Sequence, residues 1–553
     1  MKIAPVAVVG TFILLYILPL GVRPMVIPDE FRYAEISREM VETGDWIVPH
    51  LNGLRYFEKP VLGHWLHALN IKLFGANSFA IRLPSALAVG LSTLILFLLI
   101  RRFTKEIPTA LLAASVFLTC FEVYGVGTFC VLDSIFSLFI TASIVAFFFA
   151  FIETHPSKKI LYLIVSGIAC GLAFLTKGFL AFAIPIIVII PFAIWQHRLK
   201  ELFRVFWVPV ITAVLTALPW SFMIHIREPD FWNYFFWVEH VDRFVSPIGG
   251  QHSAPLWFFI PVILVGTLPW TIQIGTAIFR LRKILYKDSL LCFALCWFLF
   301  PFMFFSICHG KLPTYILPCF PPLIILFMVG LRQEWKTVKA ERFNRFDGVG
   351  VILIMALMIG LIVTQTVIPN TKIFGPNETW KLLFLIIGLF AYIVFLIKAG
   401  RAKSHMGTLA FSCLAPLLLM FSVPFIIPGR MIEQKAPTKF LKQYEDRVGQ
   451  NTILVSDNHL TPAVCWNYKR IDVLLLINPG EFEYGLAYDD ASKHLLLDIE
   501  QLRELITESA SKEHTILITR IKRYIEYKHL LPKPIFESID NGFVFAEYEA
   551  GKT

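Results

Sequence analysis

Stretches of roughly 20 apolar residues without charge recur along roughly the first 430 positions of this chain, each long enough to cross a bilayer as a helix. Windows centred near residues 12, 91, 118, 142, 168, 186, 213, 268, 298, 322, 357, 389 and 416 give about thirteen transmembrane helices. The side chains agree: of 553 residues 56% are hydrophobic and only 16% charged, whereas soluble domains carry about a quarter charged residues. A soluble globular protein, a disordered chain and a coiled coil are excluded. The net charge of +10 is scattered between apolar spans, so no basic stripe offers itself to nucleic acid.

The first run, Ile3 to Leu20, follows Lys2 as a signal peptide would. It lacks a small-x-small cleavage site and leads into Arg23-Pro24, so it reads as an uncleaved first span. Most of the nine cysteines lie in apolar runs, and no CxxC pair or zinc-ligand spacing occurs. Cys465 alone falls in the polar tail and has no partner there for an internal disulfide.

Orientation follows from the loops. Arg101-Arg102 with Lys105, Lys158-Lys159, Gln196 to Arg204, Arg280 to Lys287, Arg332 to Arg345 and Lys398 to Lys403 concentrate the basic residues in alternate connections. The positive-inside rule assigns these to the cytoplasm with the N-terminus, and an odd span count puts the C-terminus outside. The opposite face carries segments rich in Asp, Glu, His, Trp and Tyr: Arg23 to Ile81, His225 to Pro255, Cys308 to Pro313 and the tail. From about Arg430 the composition turns ordinary. Thr452 to Ser456, Ile471 to Leu476, Thr515 to Thr519 and Phe543 to Tyr548 read as strands, and Asp498 to Ser509 as an amphipathic helix. The expected architecture is a multi-pass α-helical membrane domain, residues 1–429, with outer-face interfacial helices, and a small C-terminal α/β domain, residues 430–553.

The candidate chemistry lies on that outer face. Asp29 and Glu30 follow the first span at a depth where a retained carboxylate is a functional candidate, though Pro28-Asp29-Glu30 is also a good helix start with Asp29 as cap. Tyr33, Ile36 and Met40 form an apolar stripe, with Glu35, Arg38 and Glu39 on the wet face of a short interfacial helix. In Tyr56-Phe57-Glu58-Lys59-Pro60, Lys59 suits a phosphate and Glu58 a cation or hydroxyl, while adjacent Glu-Lys is equally an ordinary solvated pair. Asp133 opens a span on the same face and reads as a second site carboxylate or as a cap. Lys177 stands between two apolar runs, where snorkelling to the interface is the plain alternative. Trp232, Tyr234 and Trp237 read as an interfacial belt, while Glu239, His240 and Arg243 stand at nearly helical spacing, Arg243 and His252 are candidates to reach an anionic head group, and His240 is a further candidate for substrate binding. Lys311 and Tyr315 stand on the outer face again, where a lone lysine says little. Their co-location suits a substrate with phosphate and polar groups at one end and a lipid chain at the other. No Walker A, GxSxG, HExxH or dinucleotide fingerprint competes.

Taken together, Asp29-Glu30-x-Arg32-Tyr33-Ala34-Glu35-Ile36, Gly44-Asp45-Trp46, Tyr56-Phe57-Glu58-Lys59-Pro60, Val131-Leu132-Asp133, Thr176-Lys177-Gly178, Phe235-Phe236-Trp237-Val238-Glu239-His240 and Gly310-Lys311-Leu312-Pro313-Thr314-Tyr315 resemble the bacterial lipid A aminoarabinose transferases. These belong to the protein O-mannosyltransferase-like superfamily with the GT-C membrane fold. The resemblance covers nearly the whole chain, including Tyr484-Gly485-Leu486 in the tail. It implies transfer of 4-amino-4-deoxy-L-arabinose from undecaprenyl phosphate to lipid A phosphates at the periplasmic face of the inner membrane. That transfer lowers the negative charge of lipid A and confers resistance to polymyxin and other cationic peptides. It further implies that Lys59 and Arg243 hold the donor phosphate, that Asp29, Glu58 and Asp133 bind the ammonium and stabilise positive charge at the anomeric carbon, and that Tyr33, Tyr56 and Tyr315 shape the pocket. A base role for Asp29 comes from relatives that glycosylate hydroxyls. No cofactor is required on this reading, and no metal-ligand set has diagnostic spacing. The alternatives are a polyprenyl-phosphate-dependent transferase acting on protein or another glycan, and a lipid-linked sugar transporter, whose ionisable groups would sit at mid-membrane.

Overall fold

The computed structural model describes residues 3–242, 253–281, 288–337, 340–366, 372–488, 490–508 and 514–549. Two compact units form: Met1–Leu20, Arg82–Lys372 and Thr379–Ile426 make a helical unit, and Gly21–Ile81, Ile373–Glu378 and Ile427–Thr553 make a mixed α/β unit.

In the helical unit the apolar windows of the sequence fall on helices or on the breaks between consecutive helices. Among the described residues eight helices are long and apolar enough to span a membrane, up to ten if two bent pairs each count as one. Three further apolar helices, Pro5–Ile17, Leu180–Trp195 and Gly350–Thr366, are shorter. The described residues thus supply eight to ten helices of spanning length against the thirteen expected, the remainder being shorter apolar helices that window hydropathy does not tell from full-length ones. The bent pairs are Ile107–Leu118 with Phe121–Gly127 at 66° and Leu256–Gly266 with Thr271–Leu281 at 110°. A bend frees backbone groups that hydrocarbon cannot satisfy. Here the two breaks serve each other: Phe121 N–H donates to Leu268 O at 3.0 Å, and Trp270 Nε1–H to Thr119 Oγ1 at 2.9 Å. The helix Pro156–Lys177 meets Trp207–Arg227 through Gly167 and Gly171, one turn apart. A Cβ at Gly171 would stand 2.6 Å from the Ala213 carbonyl oxygen, so the close approach depends on the missing side chain.

The mixed unit contains a hairpin, β1 (His50–Leu51) and β2 (Leu54–Arg55), whose Asn52-Gly53 turn has φ of 55° and 71°, the backbone of a type I′ turn. Its larger sheet comprises β3 (Ile453–Ser456), β4 (Leu474–Leu476), β5 (Leu496–Leu497), β6 (Thr515–Arg520), β7 (Phe536–Asp540) and β8 (Phe543–Tyr548) in the order β5-β4-β3-β6-β8-β7. Strands β5, β4, β3 and β6 run parallel, and β8 pairs antiparallel with both β6 and β7. Val455, Leu517 and Val544 join Leu502 and Ile506 of the helix Ile499–Glu508 and Tyr524 in one apolar core. The four expected strands and the amphipathic helix are thus present.

One expectation fails. The helix Asp29–Thr43 has no wet face at Glu35, Arg38 and Glu39, because all three are buried. The helix packs against Thr461–Tyr468, Leu62–Phe74 and β1, and the polar side chains satisfy one another under that cover. Arg38 pairs with Glu35 and Glu42. Glu39 accepts the N–H groups of Asn52 at 2.6 Å and Gly53 at 3.0 Å. Burial, with Glu35 nearby, pushes the Glu39 carboxyl up to about 8 against those two bonds.

Candidate functional site

Two clusters of charged side chains emerge, one in each unit. In the mixed unit, Pro28 is the N-cap of Asp29–Thr43 and Asp29 is the first helical residue, with no side-chain cap bond. Asp29 is therefore not the cap. Its Oδ1 accepts from Arg32 Nη2 at 2.5 Å, and 43% of its side chain is exposed. Arg32 also pairs with Glu481 and lies 3.4 Å from the Tyr33 hydroxyl. Burial opposes the Arg32 charge, but Tyr33, Tyr56, Asp29 and Glu58 outweigh it and hold the guanidinium firmly protonated. The Tyr56 hydroxyl donates to Glu58 Oε2 at 3.3 Å, and Lys59 Nζ donates to the Glu58 carbonyl at 2.8 Å. A half-exposed carboxylate, a second carboxylate and a lysine within one cluster can engage an ammonium and a phosphate together.

Arg32 and His64 join this cluster without being among the site residues expected from the sequence. His64 is fully buried, with Tyr33 and Tyr56 ring centroids 6.0 Å and 6.2 Å away. Neither ring nitrogen has a hydrogen-bond partner among the described residues. Burial, then His67, Arg32 and Lys59, lower it to about 3, and burial lowers His67 to about 4. No local signal in Gly63-His64-Trp65 announces this. Because both imidazoles fold neutral while the unfolded chain protonates near 6.5, the unfolded state binds more protons as pH falls. The imidazoles' contribution to stability is therefore complete above about 6.5 and lost progressively down to about 4, while Glu39, whose carboxyl is held up to about 8, contributes in the opposite sense over the same range. In a Glu39→Gln background, thermal unfolding at pH 7.5 and pH 5 checks this: the protein should melt more than about 5 °C lower at pH 5, and adding His67→Gln should shrink the difference. Equal midpoints in that background would contradict neutral burial.

In the helical unit Asp133 is the first residue of Asp133–Ile152, with Leu132 as N-cap and no side-chain cap bond. Lys177 ends Pro156–Lys177. Lys177 Nζ lies 2.7 Å from Asp133 Oδ1, both side chains being nearly buried, and sits 5.0 Å over the Tyr315 ring and 5.9 Å from Phe136. The cap reading of Asp133 and the snorkelling reading of Lys177 give way to an ion pair over an aromatic floor. Forty-four positions separate the two residues, which is why local pattern could not join them. Glu122 is buried as well, with one carboxylate oxygen lacking a partner among the described residues.

Other expected residues have local engagements. Glu30 is buried and bound by Arg23 at 2.9 and 3.0 Å and by Val26 N–H at 3.1 Å. His240 Nδ1 lies 2.7 Å from Phe235 O, and its Nε2 accepts Phe179 N–H at 3.2 Å, which makes it a neutral Nδ1–H imidazole. Gly178, at φ +76°, gives that ring its room: a Cβ would stand 2.7 Å from His240 Nε2. Lys311 Nζ donates to Ala254 O at 2.7 Å. Arg243 and His252 lie outside the described residues. Among the described residues no three His, Cys, Asp or Glu side chains gather as a metal site.

Known proteins share both units. A family model described as dolichyl-phosphate-mannose-protein mannosyltransferase matches residues 3–235, and one described as the C-terminal domain of arabinosyl transferase ArnT matches residues 432–547. An undecaprenyl phosphate-alpha-4-amino-4-deoxy-L-arabinose arabinosyl transferase of Shewanella sediminis is 39% identical over 534 residues, covering 95% of this chain and 94% of its own. A protein of the same name from Proteus mirabilis, numbered 2, is 38% identical over 541 residues and 96% of each chain. The crystal structure of ArnT from Cupriavidus metallidurans bound to undecaprenyl phosphate superposes with a TM-score of 0.84 at 22% identity, covering 98% of this chain and 97% of that one. Its apo form gives 0.82 at 21% identity.

Proposed function

The chain belongs to the family of undecaprenyl phosphate-alpha-4-amino-4-deoxy-L-arabinose arabinosyl transferases, and from that membership we propose that it moves 4-amino-4-deoxy-L-arabinose from undecaprenyl phosphate to a phosphate of lipid A. It is a multi-pass membrane glycosyltransferase of the bacterial inner membrane. Its N-terminus is assigned to the cytoplasm and its C-terminal domain to the periplasm by the basic loops. The product carries an added ammonium and so less net negative charge, which supports a role in resistance to polymyxin and similar cationic peptides.

The observation that carries this reading is similarity along almost the entire chain to transferases of one name. An acceptor phosphate oxygen attacks the anomeric carbon, the bond from that carbon to the donor phosphate oxygen breaks, and undecaprenyl phosphate leaves with the electron pair. The nucleophile is ionised at neutral pH, so positioning and charge stabilisation carry the rate and no base or cofactor is needed to create it. Lys59 and Arg243 are assigned to the departing phosphate. Asp29, Glu58 and Asp133 are assigned to the sugar ammonium and to the positive charge that grows at its anomeric carbon, with Lys177 as the positioning residue that fixes Asp133. Tyr33, Tyr56 and Tyr315 line the sugar.

Purified protein in proteoliposomes, given lipid A and the undecaprenyl-phosphoryl aminosugar in the presence of EDTA, should add one aminoarabinose to lipid A by mass spectrometry. Asp29→Asn should not. No addition by a folded wild type would move the reading to another sugar or acceptor, and addition only without EDTA would refute the cofactor-free assignment.

A further inference from the structure

The chain runs from β3 to β4 and β5 on one side of the large sheet, while β6 lies on the other side of β3. Strand order reverses at the gap between β3 and β6, and open α/β sheets take ligands in the crevice beyond the carboxyl ends of the strands at such a point. Asp457, Asn458 and His459 follow β3 there, Arg520 ends β6, and Arg523 stands on the helix Ile521–Tyr527 that follows. Asp457 is buried and ties the gap together. It accepts from Thr519 Oγ1 at 3.1 Å, from Arg520 N–H and Nε at 2.9 Å each, and from His459 N–H at 3.2 Å. The loop after β4 closes in at Gly480, φ +53°, where a Cβ would stand 2.3 Å from Asn458 Nδ2.

His459 marks where the basic groups meet. Burial and the charges of Arg520, Arg32 and Arg523 hold its imidazole below its ordinary value, with Asp457 opposing. Arg32, over nine-tenths buried, carries an Nε–H without a partner among the described residues. Arg523 pairs with Glu526 at 3.2 Å, both half-exposed, a contact a stronger anion can displace. Arg32 reaches the crevice through its ion pair with Glu481, beside Gly480 on the loop after β4, and three guanidiniums with an imidazole there match the oxygens of a tetrahedral dianion in competition with the Asp457 and Glu481 carboxylates.

We propose that this crevice, formed by His459, Arg520, Arg523 and Arg32, is a phosphomonoester site that receives a phosphate of the acceptor lipid. The assignment rests on the transferase reading above and gives the C-terminal domain a task in acceptor recognition. Arg32 also holds Asp29, so the site borders the carboxylate cluster through one side chain.

Binding of diphosphoryl lipid A and of its dephosphorylated form to the full chain in nanodiscs, followed by native mass spectrometry, tests this. The His459→Ala/Arg523→Ala double variant should bind diphosphoryl lipid A about tenfold more weakly and the dephosphorylated lipid unchanged. Its unfolding midpoint should match the wild type, and Arg523→Glu alone provides the same comparison from an exposed position. Equal affinity of wild type and variants for diphosphoryl lipid A would overturn the proposal. If inorganic phosphate binds saturably and only that binding is lost, the crevice is a free-phosphate site and the acceptor assignment falls. Loss confined to phosphorylated lipid, in a wild type that transfers no aminoarabinose, would keep the site and sink the transferase reading instead.

Discussion

Asp133→Asn and Lys177→Met are each expected to reduce turnover on lipid A at least ~10³-fold, whereas the double variant regains stability without regaining turnover. The pair is nearly buried at 2.7 Å. Removing one partner leaves an uncompensated charge, a loss of ~3–5 kcal/mol in fully buried pairs and less here, where water reaches both groups. Removing both charges restores neutrality. A merely structural pair would therefore return both folding and turnover in the double variant. A pair in which Asp133 meets the aminosugar and Lys177 orients it would return folding alone. Turnover per folded molecule, with the folded fraction taken from thermal unfolding, separates the two outcomes.

Lys59→Ala should lower kcat and kcat/KM together by ~10²–10³, leaving the donor KM within about threefold, if its ammonium neutralises the leaving phosphate chiefly in the transition state. Lys59→Arg should recover part of the loss because charge is retained and geometry altered. Glu58→Gln keeps the Lys59 bond to the Glu58 backbone carbonyl while removing the carboxylate assigned to the sugar, so its loss should appear with Lys59 still in place. A rise in donor KM with kcat intact would make Lys59 a ground-state anchor.

The sequence carries the apolar helices and the main strands plainly, because hydropathy and period-two alternation are local. It marks Asp133 and Lys177 as individual residues but not as a pair. It misassigns Glu35, Arg38 and Glu39 to solvent, since a helical wheel shows polarity and not whether another polar layer covers it. His64 is silent, because nothing around it in the chain distinguishes a buried neutral imidazole from a surface one. Asp457 and Arg520 become partners only once β3 and β6 lie side by side.

Asn52 at the tip of the β1–β2 turn donates its Nδ2–H to Val473 O at 2.7 Å, a partner 421 positions later, and its Oδ1 accepts from Val473 N–H at 3.0 Å and Cys465 Sγ–H at 3.3 Å. Synthesis proceeds from the N-terminus, so this segment emerges long before the strands that complete it. Until Val473 has been made, the turn beside Glu39 waits with its side-chain amide unmatched. The order of the first loop thereby becomes a record of whether synthesis has passed Val473, and a copy truncated before it lacks the clasp on the turn that precedes Tyr56 and Lys59.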